Sequence, residues 1–160
     1  MTHLKSLVPL ALILCVLLGI AGAACSDDDC SMTARPMLTC NIKQVVGDST
    51  VTADTLASVT VLALGTDSVI VNAMSNAVSL SLPLRYLNNE TSFILKYSEE
   101  LTDTVTVSHT NTPYFLTMDC GYQMKQKVEQ VRYTRHALDS ISITNPETGI
   151  YGTENLQLFY

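Results

Sequence analysis

The sequence predicts an all-β fold, an antiparallel two-sheet β-sandwich of immunoglobulin-like kind, set behind an N-terminal signal peptide. Three observations predict it. Val, Leu, Ile and aromatic residues alternate with polar ones at period two along much of the chain, which is the pattern of strands with one buried face. Asn, Asp, Gly and Pro break these runs at short spacing and leave about eight strands. No helical segment recurs between them, so the rhythm is not that of a parallel βαβ protein.

The N-terminus carries the three parts of a secretory signal. Lys5 is the only charge before Cys25, Leu7 to Ile20 is apolar, and small residues lead through Gly22-Ala23-Ala24 to Cys25. A membrane-spanning anchor is the competing reading of such a run, but Pro9 and the Gly19 to Ala24 tail are poor material for a packed spanning helix. The small residues ending in Cys25 match a lipoprotein cleavage box except at Gly22, where Leu is usual, so plain signal cleavage is the alternative. The domain division is therefore 1–24 signal peptide, 25–34 lipidated Cys25 with an acidic tether, and 35–160 the β-sandwich.

Within the sandwich, Pro36 to Val46 reads as a first strand and Asp54 to Leu64 as a second. Asp67 to Val71 is short, and Val78, Leu80 and Leu82 alternate with serines. Phe93, Leu95 and Tyr97 form a strand after the Asn88-Asn89 turn. Val105, Val107 and His109 share one parity, and Tyr114 through Met124 share another. Lys125 to Arg135 is the one stretch with helical potential, but Val128, Val131 and Tyr133 favour a strand or a short irregular piece. Ile141 and Ile143 follow, and Leu156, Leu158 and Tyr160 close the chain.

Composition narrows the function. Beyond the signal the chain holds eight Lys and Arg against 15 Asp and Glu, a net charge of −7. Nucleic-acid binding needs a basic footprint, and this chain has none. A catalytic Cys needs a His to lower its pKa. Only His109 and His136 remain beyond the signal, neither beside a suitable partner. Cys-x-x-Cys, His-x-His, a Gly-x-Ser-x-Gly elbow and a Gly-rich phosphate loop are all missing from the sequence, so no catalytic residue, metal ligand or cofactor is expected. Of the five cysteines, Cys15 lies in the signal and Cys25 would carry lipid. Cys30, Cys40 and Cys120 remain, enough for one internal bridge and one leftover thiol.

Several short marks occur in a telling order: Cys30 before Arg35-Pro36, Leu82-Pro83-Leu84 before Thr91-Ser92-Phe93, Asp103-Thr104, Cys120-Gly121-Tyr122, Leu138-Asp139-Ser140-Ile141, and Glu154-Asn155-Leu156-Gln157-Leu158-Phe159. In this order they resemble the Bacteroidetes lipoprotein family catalogued as domain of unknown function 6452. The resemblance implies a Cys30–Cys120 disulfide, with Cys40–Cys120 as the competing pair and Cys40 otherwise reduced and buried. The stretch Cys25-Ser26-Asp27-Asp28-Asp29 is similar to the export signal of Bacteroidetes surface lipoproteins, which implies the outer face of the outer membrane, with its periplasmic face as the alternative.

Five of the six Asp residues outside the tether are followed by Ser or Thr and a small or apolar residue. These triplets resemble the O-glycosylation acceptor of Bacteroidetes exported proteins, with Thr55, Ser68 and Thr104 as the expected acceptors. Turn-to-strand chemistry explains the same triplets structurally. The expected function is a lipid-anchored, non-enzymatic module that binds an envelope protein or glycan or serves envelope assembly. A hydrolase or other enzyme with a hidden site, and an accessory subunit of an outer-membrane complex, are the alternatives.

Overall fold

The computed structural model describes residues 30, 34–47, 49–66 and 68–160. The signal peptide, Cys25 and Asp27 to Asp29 lie outside the described residues, as do Asp48 and Asp67.

Ten strands follow the alternation: β1 (Leu38–Val46), β2 (Thr50–Ala53), β3 (Leu56–Ala63), β4 (Ser68–Ala77), β5 (Ser79–Leu82), β6 (Glu90–Lys96), β7 (Thr102–Thr117), β8 (Gly121–Tyr133), β9 (Ser140–Ile143) and β10 (Glu154–Phe159). They form two five-stranded sheets. One has the order β2-β1-β10-β9, with β5 also paired to β1; the other runs β4-β3-β6-β7-β8. Strand β1 shares one side between two partners, with Leu38–Asn41 on β5 and Lys43–Val46 on β2. The residues that alternation assigns to the buried parity meet between the sheets. Leu38, Cys40, Ile42, Leu156 and Leu158 of the first sheet pack with Val59, Val61, Phe93, Leu95, Val105 and Val107 of the second. At about 25 cal/mol per Å² of apolar surface removed from water, this layer is the main stabilising term.

Four features depart from the sequence reading. The β1–β10 pair is parallel, pairing Cys40 with Leu156 and Ile42 with Leu158. Alternation says which side chains turn inward but carries no information about strand direction. Tyr114 to Met124 is not one strand: β7 ends at Thr117, and the chain turns back through Met118–Cys120 into β8. Gly121, at φ 68°, supplies the left-handed backbone on the return. Strand β4 continues beyond Val71 to Ala77, where its residues are mostly exposed and so show no buried parity. Its pairing with β3 shifts register twice, and Ala73 and Asn76 adopt positive φ. Strand β2 is a short, solvent-facing edge that alternation does not mark. Lys125 to Tyr133 is strand, as its valines favoured.

Candidate binding groove

Strands β7 and β8 outrun the sandwich. Asp103, Val105, Val107 and His109 alternate inward, and no residue of β7 beyond His109 is buried. The outer half of the hairpin pairs Tyr114 with Gln123 and Phe115 with Tyr122. Beside it, the segment between β9 and β10 docks onto β8. Val128 N donates to Pro146 O at 2.8 Å and Thr148 N to Gln126 O at 3.0 Å, while Met37 N donates to Gly149 O at 3.0 Å. Between hairpin and docked segment lies an open groove of about 530 Å³, lined by Pro36, Tyr114, Met124, Lys125, Ile150 and Tyr151 among others. A space of this size suits a small or chain-like ligand. Its walls are largely apolar and aromatic. The charged residue of the lining, Lys125, pairs with Glu147 at 3.4 Å.

Two buried polar residues fix the groove's sides, and sequence reasoning gave a role to neither. Asn155 is fully buried. Its Oδ1 accepts from Thr39 N at 2.9 Å, and its Nδ2 donates to Asn145 O at 3.0 Å and Glu147 O at 2.7 Å. One amide thus satisfies three backbone groups and ties the groove segment to β1. Gln126, also fully buried, donates to Asn111 Oδ1 at 2.8 Å. Asn111 in turn donates to Arg85 O at 3.1 Å and Asn88 O at 2.7 Å. These bonds hold the loop between β5 and β6, whose Tyr86 hydroxyl donates to Gln123 Oε1 at 3.4 Å. The Arg35 guanidinium lies 4.6 Å over the Tyr86 ring and donates to Leu84 O. Gln126 left a visible signal, a polar residue on the parity of Met124 and Val128, whereas Asn155 shares the parity of Gln157, opposite Leu156 and Leu158, and left none that alternation records.

The two histidines are structural. His109 is buried, with Nδ1 3.2 Å from Asn111 Oδ1 and Nε2 2.8 Å from Thr91 Oγ1. An amide oxygen can only accept, so the network assigns the proton to Nδ1, and Nε2 accepts from the Thr91 hydroxyl. Burial disfavours the charged ring and lowers its pKa, and the Asn111 contact offsets part of this. His136 is exposed, and its Nδ1 donates to Thr102 O at 2.7 Å. Among the described residues no three His, Cys, Asp or Glu side chains are grouped to hold a metal ion.

Cys30 and Cys120 are disulfide-bonded, and Cys40 is a free, buried thiol. Burial pushes the Cys40 pKa up to about 12, far from the thiolate that nucleophilic chemistry needs. Thr55 and Ser68 are exposed at strand entries, and half-buried Thr104 turns away from the core that Val105 and Val107 enter. Asp103, in the triplet with Thr104, has a structural role. Its buried carboxylate accepts from Thr134 Oγ1 and from the backbone N–H groups of His136, Ala137 and Leu138, all at 2.7–2.9 Å. Burial alone would raise its pKa, but these four bonds outweigh it and hold the carboxyl below its usual range. Cys25 lies outside the described residues.

A protein-family model described as a family of unknown function (DUF6452) matches residues 58–160, from within β3 to Tyr160. No curated protein and no solved structure matches the chain.

Proposed function

We propose, from the premise that the chain belongs to the DUF6452 family of unknown function, that it is a non-enzymatic binding module held at the outer membrane by lipid on Cys25. The observation that carries the reading is the groove, an open cleft between Tyr114 and Tyr151 with an apolar lining and its lysine paired to Glu147. Such a site favours an uncharged ligand with a flat apolar face. A glycan fits that description, since sugar rings stack on tyrosine while their hydroxyls reach backbone and hydroxyl groups at the rim. Thr148, in the lining, donates its hydroxyl proton to Gln126 O at 3.2 Å and keeps an oxygen that can accept from a sugar hydroxyl. The buried His109 and the high-pKa Cys40 support a binding rather than a catalytic reading. An exported state would also open Thr55, Ser68 and Thr104 to O-glycosylation.

The test is binding of the purified protein to a panel of neutral oligosaccharides, followed by titration calorimetry on any that bind. Tyr114→Ala and Tyr151→Ala should each weaken binding about five- to tenfold, as lost stacking contacts of about 1–1.5 kcal/mol require. Binding that survives both substitutions would place the ligand elsewhere.

A further inference from the structure

The outer end of the β7–β8 hairpin is apolar where solvent-facing turns are usually polar. Met118 is 89% exposed, Tyr122 76% and Phe115 50%. The Phe115 and Tyr122 rings meet edge to face with centroids 5.3 Å apart, so they present one surface. Cys120, in the same turn, is disulfide-bonded. Its partner Cys30 stands five residues after Cys25, and five residues of fully extended chain reach at most about 17 Å. With the further 6 Å or so between the Cα atoms of a disulfide, whatever holds Cys25 holds Cys120 within about 24 Å.

We infer that the hairpin tip is a membrane-contacting finger, with Phe115, Met118 and Tyr122 seated in the headgroup region of the bilayer that carries the Cys25 lipid. This rests on the lipid-anchor reading above. An aromatic residue with one polar end, as Tyr122 is, is favoured at that depth, and an apolar tip adds a second contact to the one the Cys25 lipid makes. Asp119 and the Asp27–Asp29 run oppose an anionic surface, so the contact is apolar in origin and suits uncharged headgroups.

The chain contains no Trp, so Phe115→Trp introduces a single fluorophore at the tip, and Tyr122→Trp repeats the measurement should the first variant misfold. Val51→Trp is the control, because Val51 pairs with Val45 at the far end of β1 from Pro36. Full-length protein processed in its host is placed in phosphatidylcholine–phosphatidylethanolamine vesicles with and without brominated chains. The tip tryptophan should shift to the blue and be quenched about twofold by bromine, while the Val51→Trp emission stays unchanged. An acylated protein whose tip tryptophan emits as in water overturns the finger and leaves the anchor standing. Equal quenching at both positions also overturns it, since the whole domain would then lie on the bilayer. A mature mass without acyl chains overturns the anchor and the finger together.

Discussion

At the scale of single residues, the sandwich depends on buried polar groups satisfied mainly by neutral hydrogen-bond donors. Asp103 is the clearest. An amide in its place keeps one acceptor oxygen but in either orientation turns an NH₂ toward at least one backbone N–H group. Asp103→Asn should therefore cost about 2–4 kcal/mol in denaturant unfolding. The same carboxylate makes stability pH-dependent. Its folded pKa is depressed, so its contribution is complete above the unfolded value near 4 and is lost as pH falls through the folded one. His109 acts in a higher window. Its folded pKa is also lowered, so below the ordinary imidazole value of about 6.5 the unfolded chain takes up the proton first and stability falls. Thermal melts should thus show two losses on acidification, one beginning near neutrality and one below pH 4. His109→Gln should flatten the first and leave the second, and an unaltered upper limb would show that His109 does not carry it.

At the scale of elements, the hairpin and its disulfide stand apart from the rest. The Cys30–Cys120 bridge closes a loop of about 90 residues, which the chain-entropy account values at on the order of 4–5 kcal/mol. Cys120→Ser should lower the unfolding free energy by an amount of that order. Peptide mapping without reductant should recover Cys30 and Cys120 together, and a cross-linked peptide containing Cys40 would contradict the pairing. Most strands were legible in sequence because burial on one face writes itself as alternation, as in Phe93 and Leu95 or Val105 and Val107. The turn at Met118–Cys120 was not read, although Asp119 and Gly121 mark it, because Tyr114–Leu116 and Tyr122–Met124 continue one parity across it. The far half of β4 lacked a signal for a physical reason: an exposed edge strand has no buried face to record. The groove was invisible because its walls come from residues near 36, 114, 124 and 150, which only the packing of the hairpin and the β9–β10 segment brings together.

At the scale of the whole molecule, the first and last strands lie side by side, and the family match begins only in β3, leaving β1 outside although β10 needs it. The proposed placement of that molecule in the cell is tested at Cys25. Cys25→Ser should leave the protein soluble or unprocessed, which fractionation of the host envelope would read. Undiminished membrane retention of that variant would remove the lipid anchor from the account. The Cys30–Cys120 disulfide also has a mechanical consequence. Tension arriving along the tether reaches Cys30 first and divides there, part continuing along the backbone toward β1 and part crossing the sulfurs to the hairpin tip. A ligand gripped by Tyr114 and Met124 would be borne by the same hairpin that the second share enters. Load would then run from groove to tip to tether through covalent bonds, and the sandwich behind it would hang nearly slack.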